Sequence, residues 1–549
     1  MASLTPHSGS LGIRLAAHLL RRATYKTTAS RIETFANYTP QQAINKLFEI
    51  KPLKYPNGPL SWVSNAPMFD IATYNGGVYE EVNVNQRGVF THAWRFYESM
   101  EDDTIRWKIV HWFASIYSLK KGGNGQVYHF WRLLENRTFQ DLKSLAKKVT
   151  VDNEMLRYLN NNDNVATGPN ENYAREFMEL FTILRGPNIS VGNYTNYTEA
   201  DIATAARVLT GFKNSNTAVD TETGILKGRA VYNQHDKADK KFSSAFQNQT
   251  IQAASNANDM FRELSDFVDM IFNQDATALS YIRKMYRYFV ADNISEEVEQ
   301  DIISPLAIEL KDNGYQHIPI LKKLLTSQHF YDMDDEDASN EIIGGKLKSP
   351  YEMLFQSITT FGLVNRRANN LEWRFYKDYI PYRAHTRDIG LDPLGPDTVE
   401  GYAGFYKEPG YSRNWFSNNL LFKRFSFGTS LIRGKRFNEN GYFPFKIDIV
   451  RWAIDHLDLP NYPGTPTTPI GVSDADYTVD KLLSYLLPEK PTGSRYDYFK
   501  ESLLGGLSPI NWYFAWKNFR SGEMDDSDVR VGLERLFTTI MSAPEYQTF

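Results

Sequence analysis

Apolar positions recur at helical spacing along most of this chain. Ile13, Ala16, Ala17 and Leu20 fall on one stripe. Thr39-Pro40-Gln41-Gln42 reads as a capping box with Pro at the first helical position, leading into Ala43, Ile44, Leu47 and Phe48. The spacing predicts further helices over 105–119, 127–134, 139–149 and 156–164. The first carries Trp107, His111, Trp112 and Phe113 and is stopped by Gly122-Gly123-Asn124-Gly125. Thr198 caps a helix whose buried stripe is Ile202, Ala205, Ala206 and Leu209 and which ends at Gly211. Residues 213–246 alternate polar and apolar positions around Gly224 and Gly228, the pattern of a short hairpin. Helices resume over 259–272, 279–290, 296–313 and 319–326, and again over 344–361, 415–425, 479–487, 496–504 and 529–541. The Gly- and Pro-rich stretch 388–411 reads as a long ordered loop, and 460–473 as a Pro/Thr loop.

The pattern therefore predicts a mainly α protein with at most a small hairpin. It divides into an N-terminal helical region 1–212, a loop and hairpin segment 213–258, and a C-terminal helical region 259–549 packed on the first. No sustained strand alternation and no fixed-period repeat appears.

One amphipathic helix stands apart. Placed at about 100° per residue, Asn172, Arg175, Glu176 and Glu179 share a face, with Glu171 and Thr182 at its edge. The opposite face is Tyr173, Ala174, Phe177, Met178, Leu180, Phe181 and Leu184. On the plain reading, Glu171/Arg175 and Arg175/Glu179 are i,i+4 pairs worth about 0.2–0.5 kcal/mol each. On the functional reading they line a cleft.

Composition narrows the choices. With 549 residues, 42% hydrophobic and 23% charged, the chain is long enough for a large core. The aromatic share, 14%, is high and suits half-buried Tyr at grooves as well as core packing. The net charge of −4 and the lack of a long basic block argue against nucleic acid as partner. No cysteine is present, which excludes disulfides, thiolate zinc sites and cysteine nucleophiles. No run of about 18 apolar residues occurs, so no transmembrane segment is expected. Residues 11–20 are broken by Gly12, Arg14 and His18 and form no signal core, which reads literally as a cytoplasmic chain.

Outside the Glu/Arg helix, His235-Asp236 is the main candidate for chemistry. A His beside an Asp can be a metal ligand with its second shell, or a proton-transfer pair, if Glu171, Glu176, Glu179 or His18 joins it. Neither HExxH nor paired ExxH spacing is present, so the metal is left unknown. His18 lies among Arg14, Arg21 and Arg22, a face that could grip an anion or pair internally. His111-Trp112-Phe113 reads as core. There is no GxSxG elbow, P-loop or GxGxxG fingerprint.

Six ordered strings then belong together: His18-Leu19-Leu20-Arg21-Arg22-Ala23-Thr24-Tyr25; the 171–180 string; Asp201 with the 205–211 string; His235-Asp236 with Lys240; Lys348-Ser349-Pro350; and Ser542-Ala543-Pro544-Glu545-Tyr546. In this order the chain resembles, from about Leu11 to Tyr546, a large bacterial family called domain of unknown function 1800. Its Asn- and Tyr-rich style is similar to members from the Bacteroidetes. The resemblance implies a large helical protein. It also implies a periplasmic or cell-surface setting, beside an exported protein similar to alkaline-phosphatase-type or sulfatase-type enzymes. Two departures stand out: many members begin with an export signal, which this chain does not show, and many have Gly where this chain has Lys26.

Two function classes follow. The first is an envelope-associated accessory or binding protein with an aromatic-lined polar cleft, in which His18, Arg22, Glu171, Asn172 and Arg175 would bind ligand. The second is a hydrolase, metal-dependent if a cation joins, using Glu176 and Glu179 as acid and base with His235 and Asp236. The second concerns reaction chemistry, and the pattern alone leaves open whether there is any.

Overall fold

The computed structural model describes residues 2–53, 84–120, 126–335, 341–363, 380–393, 395–396, 398–434, 446–456 and 470–549; the side chains of 84–90, 380–381 and 470–474 are left aside. The described chain is mainly α-helical. Its described sheet structure is three short antiparallel pairs: Asn188–Ser190 with Asn193–Tyr194, Phe212–Lys213 with Arg229–Ala230, and Lys240–Lys241 with Thr250–Ile251. The last two are the hairpin structure expected between 213 and 258.

Local sequence sets the helix ends. Thr39 accepts from Gln42 N at 3.3 Å while Gln42 Oε1 accepts from Thr39 N at 2.9 Å, so the expected capping box starts the Pro40–Leu47 helix. Thr198 and Asp201 form a second box that starts Glu199–Val208. Ser349 and Glu352 form a third, with Pro350 at the first helical position. This last helix, Pro350–Thr360, begins six residues later than the apolar pattern suggests, because Gly344 takes a φ of +81° that no helix allows.

Other boundaries differ too. The helix bearing Arg175 is α only over Asn172–Glu176, and Phe177–Phe181 forms a π turn. The 296–313 stretch likewise contains a π turn, Glu299–Ile303, between Glu296–Val298 and Ser304–Asp312. The loop expected over 388–411 holds the short helix Ala403–Tyr406. The glycine stop at 122–125 and most of the 460–473 loop lie outside the described residues; 470–473 belong to the helix Ile470–Leu486. Periodicity missed Val84–Glu101, Ile449–His456 and Pro509–Ser521.

Buried apolar side chains form one contiguous cluster from Ala2 to Tyr546. The Gly12–Ala23 helix packs on Ala29–Ala36 and on Ile470–Leu486, so the two ends of the chain share a core. Burial of apolar surface at about 25 cal/mol per Å² holds these elements together.

Candidate functional site

The Glu/Arg helix projects its polar groups toward a neighbouring helix. Arg175 donates to Glu199 through both guanidinium arms, at 3.0 and 2.7 Å, and to Glu171 at 3.1 Å. Tyr194 Oη donates to the same Glu199 at 3.0 Å. The Asn172 amide donates to the Leu159 carbonyl at 3.0 Å. Glu179 pairs with Arg185. These groups are partly exposed, so each pair contributes little stability, about 0–1 kcal/mol. Glu176 is different. It is half-buried and has no ion-pair partner among the described residues, and burial, reinforced by the neighbouring Glu179 and Glu400 carboxylates and opposed by Arg175, pushes its carboxyl up to about 7.

His235 and Asp236 sit at the far end of the Glu199–Val208 helix. Gly211 makes the turn with φ +79°, and an added Cβ there would lie 2.8 Å from the Val231 carbonyl. The turn brings Thr210 against His235, whose Nδ1 donates to the Thr210 carbonyl at 2.8 Å. His235 Nε2 lies 3.1 Å from Glu263 Oε2, and Lys240 Nζ lies 2.6 Å from Glu263 Oε1. All three side chains are 0% exposed. Asp236 forms a fork with Arg207 at 2.8 and 3.1 Å. Burial alone would raise the Asp236 carboxyl, but Arg207, the Ala238 N–H and Lys240 together outweigh it and hold the carboxyl below its ordinary range. His235, Lys240 and Glu263 thus form a buried polar network, with the Arg207–Asp236 pair partly exposed at its edge. Glu199 and Arg207 are eight residues apart on one helix, roughly 12 Å at 1.5 Å per residue. The Arg175 and Asp236 pairs are thus fixed to opposite ends of that helix.

His18 and Arg22 lie in a third place. His18 Nε2 donates to the Phe330 carbonyl at 3.0 Å, and burial, with Arg22 beside it, holds the ring well below its ordinary pKa. Arg22 donates to the Ile342 carbonyl at 3.1 Å and stacks 4.3 Å from the Phe549 ring. Nearby, Lys108 meets Glu352 at 2.7 Å, both side chains buried. Gln356 donates to the Arg21 carbonyl at 2.7 Å, Lys348 to the Tyr546 carbonyl at 2.8 Å, and Ser357 bonds the Tyr546 hydroxyl at 2.6 Å. The six sequence blocks therefore gather at two centres. The second, third and fourth meet around the Glu199–Val208 helix, and the first, fifth and sixth around Glu352.

Between helices lies a cleft of roughly 260 Å³. Leu180 and Leu184, at the end of the Glu/Arg helix, form one side. Arg283, Lys284, Arg287 and Tyr288 of the Asp275–Phe289 helix form the second, and Glu400, Phe405, Tyr406 and Tyr411 the third. Lys284 Nζ donates to the Leu180 carbonyl at 2.6 Å, closing the π turn, and burial lowers its ammonium to about 7. Arg283 pairs with Glu299 at 3.0 Å. The Arg287 guanidinium lies 4.6 Å from the Tyr411 ring centroid. A larger acidic trough of roughly 950 Å³ adjoins it, sharing Asp292, Glu408 and Tyr411. Sequence reasoning missed this cleft. The available signal was the Arg283-Lys284 and Arg287 spacing at i, i+1 and i+4 on an otherwise apolar helix.

Residues 18–548 match the family described as a protein of unknown function (DUF1800). The chain belongs to this family. No curated protein and no solved structure matches it. The matched range spans both centres and the cleft. Among the described residues no group of three or more His, Asp and Glu is arranged to hold a metal ion, and no helix is long and apolar enough to cross a membrane.

Proposed function

We propose that this DUF1800 protein is a binding or accessory protein of the cell envelope that holds a small ligand in its aromatic-walled cleft. It works beside a second, exported protein similar to alkaline-phosphatase-type or sulfatase-type enzymes. One observation carries the reading. Most charged groups of the six blocks are taken up by internal partners, as in Arg207–Asp236, Lys240–Glu263 and Lys348–Tyr546, whereas the cleft between Leu180, Tyr288 and Tyr406 stays open. Concave, aromatic-lined space with a few polar groups is the form ligand sites take. Mixing the purified chain with that exported partner should give a single larger species in size exclusion with light scattering. Two unshifted peaks well above micromolar concentration would remove the partner from the proposal, and fractionation of cells expressing the native gene tests the envelope location.

A second reading rests on Glu176. A carboxyl near pKa 7 with no ion pair can act as a general acid or base at neutral pH, so a hydrolase using Glu176 is the alternative. Turnover of ester, phosphate or glycoside substrates that disappears in Glu176→Gln would favour it over the binding reading.

A further inference from the structure

We propose that Arg95 is the seat for the carboxylate of a small organic ligand, at a chamber adjoining the aromatic-walled cleft. The inference deepens the cleft reading and rests on it for the body of the ligand.

Arg95 belongs to the Val84–Glu101 helix and is 0% exposed. Its guanidinium carbon lies 4.0 Å from the Trp131 ring centroid, and one terminal nitrogen donates to Tyr351 Oη at 3.0 Å. Its Nε and its other terminal nitrogen have no hydrogen-bond partner. Among the described residues no carboxylate pairs with it. A guanidinium taken out of water without a counter-charge is costly, and the remedy is an anion that accepts from its open donors.

The neighbouring groups point the same way. His111 Nε2 and Ser118 Oγ are buried and also lack partners. Tyr25 Oη and His111 Nδ1 are 2.6 Å apart; with the phenol donating, the ring hydrogen sits on Nε2 and adds a donor. Burial, then Arg95 and Lys108, keep this imidazole neutral, so it donates without adding a second charge.

Charge selects the anion. Arg95, His111, Ser118 and Tyr351 line a space of about 30 Å³. One guanidinium beside neutral donors balances the single charge of a carboxylate. A phosphate near neutral pH brings close to two charges, one of which would be buried without a partner. Ser115 and Phe405 line both this chamber and the cleft, so a ligand seated here by its carboxylate extends its body toward Tyr288 and Tyr406.

The test uses the full chain, with calorimetric titration and melting in sodium acetate and sodium benzoate against acetamide and benzamide at matched chloride. The acids should bind saturably and the amides should not. Arg95→Met should weaken acetate about tenfold or more, since charge-assisted hydrogen bonds are lost. Equal binding of acids and amides, or acetate binding unchanged in Arg95→Met, would overturn the proposal and leave water as the occupant. Should Arg95→Met fail to fold, Ser118→Val narrows the chamber with the guanidinium in place. Weaker acetate binding is then expected, and unchanged binding overturns the seat. Tyr406→Ala separates the two readings. Benzoate weakened in Tyr406→Ala but not in Arg95→Met keeps the cleft and rejects the seat. Acetate that depends on Arg95, with benzoate indifferent to Tyr406, keeps the seat and rejects the cleft.

Discussion

At the scale of single residues, Glu176 is the group whose environment most separates a scaffold from a working site. Among the described residues Glu171 pairs with Arg175, Arg175 also with Glu199, and Glu179 with Arg185, whereas Glu176 has no ion pair. A carboxyl pushed up to about 7 binds more protons in the folded chain than in the unfolded one between about pH 4.5 and 7. Stability from this group is therefore full below about pH 4.5 and is lost as pH rises through about 7. After discounting for the solvent that screens a half-exposed group, the loss is about 1–2 kcal/mol. Glu176→Gln should thus match the parent near pH 4 and exceed it by about that amount near pH 8, measured by denaturant melting. A variant less stable than the parent at pH 8 would mean that the carboxylate has a cation partner and is structural. Spacing on a helical wheel put Glu176 on the right face. It could not show that Arg175 would turn to Glu199, a residue of another helix, and leave Glu176 alone.

Elements supply the next level, and here the Glu199–Val208 helix organises three sequence blocks. Its start was legible, because Thr198 and Asp201 are a cap pair that needs only local sequence. Its partners were not. Helical spacing puts Glu263 on the apolar stripe of Met260, Leu264 and Phe267, but nothing local shows that His235 and Lys240 meet it there. The π turn Phe177–Phe181 was equally hidden, and the ammonium that meets its Leu180 carbonyl, Lys284, comes from a distant helix. The buried network yields a second prediction. Glu263→Gln leaves Lys240 uncompensated and should cost about 3–5 kcal/mol. Glu263→Leu with Lys240→Met removes both charges and should cost clearly less than the two single changes added, the sign of direct coupling. Additive losses would show that Lys240 finds its main partner elsewhere, with the Asp236 carbonyl at 2.6 Å the first candidate.

Across the whole molecule, the capping boxes, the apolar stripes and the short hairpins could be read from the chain, but not that its two ends close on one charged pair. Lys108 and Glu352 are 244 residues apart, and the elements around them come from Gly12–Ala23, Arg106–Ile116, Pro350–Thr360 and the stretch ending at Phe549. Arg22, Lys346, Lys348 and Arg424 are buried there too, so Glu352 is the main counter-charge of a strongly cationic interior. Burial alone would raise its carboxyl, yet the Lys108 ammonium outweighs burial and holds it below the ordinary range. A depressed carboxyl contributes stability above its unfolded pKa, near 4.5, and loses it as pH falls further. Glu352→Gln keeps the shape of the cap but removes the charge. It should cost about 3–5 kcal/mol at pH 7 and should flatten the acid limb of the stability curve. The loss should not stay local. Because Lys108, Lys348 and Gln356 tie the same spot to both ends of the chain, hydrogen exchange should rise together over 12–23, 350–360 and 527–541. Faster exchange confined to 350–360 would mean that the two ends are held by apolar packing alone. Concerted opening would instead make Glu352 the link through which both ends of the chain unfold as one unit.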